Sequence, residues 1–172
     1  MEQTNVLYPQ PVRSETDQCR PEQIFFAFEE DFVEENVRCI PMIVRFKLDA
    51  CGIKLKLSEW SKMTVEERKR LSEMSCADSN DLLQYRNYLQ QIILLHTGVA
   101  ATDLPVDWNP EWENTNELPG ILKEKLSEFS WFISLREWSR LNNLQRYVLL
   151  KLCRPGHENK NFPKAMKEFG LV

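Results

Sequence analysis

Glycine is scarce, with five in 172 residues, too few for the turn density of a β sandwich. Histidine is scarcer: only His96 and His157 occur. No H-E-x-x-H, G-x-S-x-G or phosphate-loop pattern appears, so the chain carries no local signature of zinc-peptidase, serine-hydrolase or nucleotide chemistry. The five cysteines (Cys19, Cys39, Cys51, Cys76 and Cys153) are widely spaced, without a C-x-x-C pair. That argues against a disulfide framework and against a zinc or iron–sulfur site built from local sequence, and they read as reduced thiols. Long apolar runs are missing too. Ile92 to Leu95 is one helical turn, far short of the roughly 18 residues of a membrane span. The start, MEQTNVLYPQPVRSETDQCR, has no basic region leading into an apolar stretch, so it does not read as a secretory signal and a cytoplasmic location is expected.

What the chain does have is a repeat. Residues 40–71 align without a gap on residues 118–149, with ten identities in 32 positions, among them Pro41/Pro119, Lys47/Lys125, Glu59/Glu137, Trp60/Trp138, Arg68/Arg146 and Leu71/Leu149. Unrelated segments would share roughly two, so one supersecondary unit is read as duplicated. A unit of about 55 to 60 residues buries too little surface alone, which predicts that the halves share a core.

Charge comes in blocks. Residues 1–38 carry 3 basic and 9 acidic side chains, 39–71 carry 8 and 4, 72–117 carry 1 and 8, and 118–172 carry 10 and 5. Either acidic connectors lie over basic units, within a Debye length of about 8 to 10 Å, or the basic units present a face to an acidic partner.

Periodicity and punctuation predict an all-α fold. Residues 1–22, with Pro9, Pro11 and Pro21, read as a disordered arm, and 23–172 as a single compact domain. In it, repeat one (about 40–98), an acidic linker (99–117) and repeat two (about 118–172) give a duplicated multi-helix unit with pseudo-two-fold symmetry. The aromatic cluster Phe25, Phe26, Phe28 and Phe32 must bury its rings, either on the chain's own core or on a partner. Pro41 and Pro119 suit first helical turns, and Gly52 closes the first helix. Val44, Leu48 and Cys51 form its apolar stripe, answered by Leu122, Leu126 and Phe129, and Arg45 and Asp49 are spaced as an i,i+4 pair. Short helices follow at the L-x-E-W-S signature. New ones begin at the capping pairs Thr64/Glu67 and Asn142/Gln145. Asp78 caps a helix that runs to Gly98, Arg154-Pro155-Gly156-His157 breaks another, and Pro163 opens the last, which runs to Phe169. Strand-like alternation is confined to Ile53–Leu57.

Trp60 and Trp138 read as wedges between successive helices. Glu59 with Arg68, and Glu137 with Arg146, are placed to close each helix corner through charge-assisted bonds. A helix-turn-helix DNA-binding reading finds Lys62, Arg68, Lys69 and Arg70 in the first copy, but the second has Tyr147, Val148 and Leu149 in place of Lys69, Arg70 and Leu71, a face made for burial. His96 has no evident partner. The loop Arg154–Asn161, basic and glycine-containing before a helix, is the best candidate for an anion site and the seat of an alternative reading as a small enzyme or cofactor carrier centred on His157.

Two long stretches carry a resemblance. FEEDFVEENVRCIPMIVRFKLDACGIKLKLSEWSKM (Phe28 to Met63) and QRYVLLKLCRPGHENKNFPKAMKEFGL (Gln145 to Leu171) resemble the hallmark regions of the cyanobacterial nitrate-reductase-associated protein family. That resemblance implies a small cytoplasmic accessory protein, linked to nitrate assimilation and molybdenum-cofactor synthesis and needed for nitrate reductase to become active, with the reductase as its protein partner. It implies neither catalytic residues nor a cofactor of its own. The positions least explained by packing are Arg45, Lys47, Arg154, His157, Asn159, Lys160 and Asn161, and these form the expected interaction or anion-binding set.

Overall fold

The computed structural model describes residues 25–29, 37 and 39–172, apart from the side chains of His157 and Glu158. The expected arm over residues 1–22, Cys19 and Phe32 lie outside the described residues. Among the described residues there are eight α-helices: α1 (Met42–Cys51), α2 (Leu57–Trp60), α3 (Val65–Glu73), α4 (Ser79–Thr97), α5 (Gly120–Glu128), α6 (Leu135–Arg140), α7 (Asn143–Cys153) and α8 (Phe162–Glu168). Helix, 3-10 turns included, makes up 61% of the described residues and strand 3%, so the mostly helical expectation is met. The exception among the described residues is a two-residue antiparallel ribbon, β1 (Ile53–Lys54) with β2 (Thr102–Asp103), which ties the acidic linker to the end of α1.

The helices begin where side chains can satisfy free N–H groups. Thr64 and Glu67 at α3, Ser134 and Glu137 at α6, and Asn142 and Gln145 at α7 each close a reciprocal capping box, worth about 1 kcal/mol at the cap residue. Asp78 accepts from Asn80 and Asp81 at the start of α4. Gly52 and Gly98 end α1 and α4 in the left-handed region, where only glycine avoids a Cβ penalty. The starts of α1, α2 and α3 stand 78 residues before those of α5, α6 and α7.

The core is in two parts rather than shared evenly. Val44, Leu48, Trp60, Leu71, Tyr85 and Leu89 belong to one cluster, and Leu122, Leu126, Trp138, Leu149 and Phe162 to the other. We call these the first and second units. Trp60 and Trp138 are both fully buried, and each indole N–H donates to a carbonyl, of Val37 at 2.8 Å and Asn114 at 2.9 Å. The units meet where α1 crosses α7. There Met42 joins the second cluster, and the rings of Phe46, Trp112 and Tyr147 pack edge to face with centroids 5.0 to 6.4 Å apart. Phe28 is buried and Phe26 lies on Phe28 and Phe169, so these two rings are laid on the chain's own core. Glu168 receives the N–H groups of Ala27 and Phe28.

Two expectations about charge need correction. Glu59 and Glu137 do not close the helix corners onto Arg68 and Arg146; each accepts the N–H at the start of its own helix, from Lys56 at 2.8 Å and Ser134 at 2.7 Å. The corners are instead closed by arginine to backbone: Arg68 donates to the carbonyls of Trp60 and Ser61, and Arg146 to those of Trp112 and Leu141. A rigid guanidinium fork suits two carbonyls at a turn, and a carboxylate one helical turn from a free N–H is already engaged. Likewise Asp49 forms its ion pair across the units, with Lys151 at 2.9 Å, rather than along its own helix with Arg45. His96 does have a partner, Glu67, at 2.8 Å.

Candidate functional site

The structure sorts the expected basic set by burial. Lys47 lies on the inner face of α1, and its ammonium donates to the carbonyls of Ser72 at 2.7 Å, Met74 at 2.6 Å and Leu71 at 3.4 Å. These are end-of-helix carbonyls of α3, with no helical donors to meet them, and a cation there is favoured by the helix dipole as well. Lys47 therefore joins α1 to α3 and presents no surface. Its counterpart Lys125 is also buried, with its ammonium 2.6 Å from Glu128.

Arg45 and Arg154 come together around a feature that the sequence did not single out. Tyr147, Lys151 and Arg154 recur at i, i+4 and i+7 along α7, one helical stripe. The Tyr147 hydroxyl donates to Asp49 at 3.2 Å, and Lys151 approaches the same carboxylate oxygen while lying 5.1 Å from the Tyr147 ring centroid. Burial, followed by the charge of Asp49, raises the phenol far above its usual range, while Arg45 and Arg154 oppose that rise. The hydroxyl therefore stays protonated and serves as a donor. Arg45, half-buried, donates through Nε to the Ile40 carbonyl at 2.9 Å. Reading α7 for its stripe would have found Tyr147 and Lys151; assigning Asp49 to Arg45 hid them.

The loop after α7 splits in the same way. Arg154 ends that helix and is exposed, and a 3-10 turn, His157–Asn161, leads into α8. Lys160 is exposed and Asn159 half-buried, while Asn161 is 3% exposed and its Oδ1 meets no donor among the described residues. A partnerless acceptor attracts a donor, not an anion. The side chain of His157 lies outside the description.

Beside this loop is an aromatic turn. Phe129 stacks on Trp131 at 4.7 Å and on Phe162 at 5.9 Å, which ties the end of α5 to the start of α8. Cys153, the last residue of α7, faces Lys125 and Glu128. Arg154–Asn161 and Phe129–Phe132 thus share one end of the second unit. Phe132 is 83% exposed, and sequence reasoning passed over it, although its alignment with Lys54 marks it as an outward position.

Burial raises the thiols of Cys51 to about 11 and Cys153 to about 12, so both remain protonated and poorly nucleophilic at neutral pH. A shallow cleft of about 140 Å³ between the linker and α5 is lined by Glu111, Asn114, Glu117, Leu118, Pro119 and Gly120, smaller than the roughly 300 to 1,000 Å³ usual for ligand pockets. Among the described residues no three His, Cys, Asp or Glu side chains gather as metal ligands, and no helix is long and apolar enough to cross a membrane. Of the two helices that a DNA-binding reading would use, α7 is enclosed, with Tyr147, Val148 and Leu149 fully buried, whereas at α3 Lys62, Lys69 and Arg70 are exposed and Arg68 is buried. This end of the second unit offers the surface cations Arg154 and Lys160 and the exposed rings of Phe129 and Phe132.

Residues 25–169 match a family described as conserved nitrate reductase-associated protein. No curated protein and no solved structure matches the chain.

Proposed function

The chain belongs to the conserved nitrate reductase-associated protein family, and from that premise we propose that it is a non-catalytic accessory protein that binds nitrate reductase in the cytoplasm while active enzyme is being formed. In this reading it acts at the stage when the molybdenum cofactor or an iron–sulfur cluster is installed, by offering a rigid helical surface. We also read the fold as two copies of one ancestral unit over about 40–98 and 118–172, related by a pseudo-two-fold axis, in a single domain from residue 23.

The observation that carries the reading is the sorting of cations. Lys47, Arg68 and Arg146 are turned onto backbone carbonyls inside the protein, whereas Arg154 and Lys160 stand exposed on the loop that leads to Phe162, the ring against which Phe129 and Trp131 of the turn carrying exposed Phe132 are stacked. Arginine and aromatic side chains at a surface are the usual anchors of a protein interface. The contact face is accordingly assigned to Arg45, Arg154, Asn159 and Lys160, whereas Lys47 and Asn161 are buried.

The test is capture of purified apo and holo nitrate reductase on the immobilised protein. Retention of the apo form well above the holo form is the expected result. No retention of either form would end the reading.

A further inference from the structure

We propose that the Trp131–Ser134 segment of the second unit is an open docking edge, and that its occupant is an extended, acidic segment of a partner protein. This deepens the binding reading above and rests on it, supplying the surface used.

The first unit shows how such an edge is filled. After α1, Gly52 turns through a positive φ of 67°, and Ile53–Lys54 then pair with Thr102–Asp103. Leu104 N–H donates to the Gly52 carbonyl at 2.9 Å. Arg86 bonds the Gly52 carbonyl at 3.1 Å and the Asp103 carboxylate at 2.6 Å, locking the cover in place. The segment that supplies this cover, residues 99–117, contains five acidic side chains and no basic one.

The second unit repeats the turn without the cover. After α5, Ser130 adopts a positive φ of 56°, at the position equivalent to Gly52. The chain then runs through Trp131, Phe132 and Ile133 with no strand paired to it among the described residues. Ile133 points into the core, while Phe132 stands 83% exposed. An unpaired edge with an outward aromatic ring is a ready template for strand addition, with main-chain bonds giving affinity and alternate side chains giving specificity. Charge selects the guest: residues 118–172 carry 10 basic and 5 acidic side chains, and the segment that covers the first unit's edge is acidic. Opposite charge steers and registers such an association.

Ser130 sets the register. A Cβ at Gly52 would lie 2.8 Å from the Leu104 carbonyl oxygen, so a guest at Ser130, which has a Cβ, cannot repeat the Leu104 approach. The Trp131 N–H is held by the Leu126 carbonyl at 3.0 Å and the Ser134 N–H by Glu137 at 2.7 Å, so the guest bonds the main chain at Phe132 and Ile133 and packs on the Phe132 ring.

The probe is a synthetic peptide of residues 100–108, AATDLPVDW, titrated into the 15N-labelled full chain and followed by NMR, beside the same peptide with both aspartates replaced by lysine. The expected result is amide shifts centred on Trp131–Ser134, at least tenfold weaker binding in Phe132→Ser, and no shifts with the lysine peptide. Shifts at Ile53–Lys54 alone, no shifts at all, or unchanged binding in Phe132→Ser would overturn the proposal. Phe132 is exposed, so the variant is expected to fold; unchanged helical circular dichroism checks that.

Capture of nitrate reductase then separates the two readings. Wild-type capture that is lost in Phe132→Ser supports the edge. Equal capture by both removes the edge and leaves the accessory role, and no capture by wild type removes the role itself. If sedimentation shows a dimer that Phe132→Ser makes monomeric, a second copy fills the edge and the partner proposal falls.

Discussion

The two units are built alike and finished differently. Both bury a tryptophan against a backbone carbonyl, both turn an arginine onto the carbonyls of the preceding corner, and both begin their third helix with a capping box. The first unit then lays the acidic linker along its own edge, and the second, among the described residues, has no strand paired at the equivalent turn and exposes a phenylalanine there. What the likeness fixes is architecture; where the units diverge is where a function has room to reside.

Removing either matched indole should cost the most. Trp60→Ala and Trp138→Ala are each expected to destabilise by about 3 to 5 kcal/mol, as for large-to-small changes in a close-packed core, with urea unfolding as the measurement. Similar losses would support equivalent roles. A loss several-fold smaller at one site would break the comparison at its root.

The edge itself separates the units more sharply. Gly52→Ala puts a Cβ against the Leu104 oxygen and the Val106 side chain at a left-handed backbone position, for an expected loss of about 2 to 4 kcal/mol. Ser130→Ala, at the matching turn without a covering strand, should change stability by less than about 0.5 kcal/mol. Equal effects at the two positions would mean that the second turn is covered after all.

Much of this was legible beforehand. The L-x-E-W-S signature, the capping pairs, Gly52 and Gly98 placed helix boundaries to within a residue or two, because these signals are local and act through the nearest free N–H and C=O groups. The alternation at Ile53–Leu57 signalled a strand, although only Ile53–Lys54 pair. Tertiary partners were not legible. Nothing in the sequence says that Arg68 would choose two carbonyls over Glu59, that Asp49 would reach across to Tyr147 and Lys151, or that Lys47 would turn inward to the end of α3. Each choice depends on which element lies opposite. Of the candidate site, Arg154 and Lys160 were legible as surface cations, whereas Phe132, in a connection too short for periodicity, was marked as outward only by its alignment with Lys54.

The caps offer a finer test. Thr64→Ala and Asn142→Ala remove equivalent side-chain acceptors and should each lower stability by about 1 kcal/mol. A difference between them much beyond that figure would show that one corner relies on its cap and the other on its arginine.

Alkaline pH should distinguish the units most gently. The thiols of Cys51 and Cys153 are raised from 9.0 to about 11 and about 12, chiefly by burial. A raised acid favours the folded state in its neutral form, so this stability is whole below pH 9 and is lost as pH climbs through 9 toward the folded values. The urea midpoint should therefore fall between pH 9 and 11. At pH 9 a thiol reagent should modify exposed Cys39 quickly and Cys51 and Cys153 slowly. Fast modification of either buried thiol would show that its unit opens.

The central claim is that the second unit's exterior, not a catalytic centre, does the work. Hydrogen–deuterium exchange of the full chain with and without nitrate reductase tests it most directly. New protection over Trp131–Ser134 and Arg154–Asn161, with Ile53–Lys54 unchanged, is the predicted result; protection confined to the first unit, or none in a complex shown to form, would contradict it.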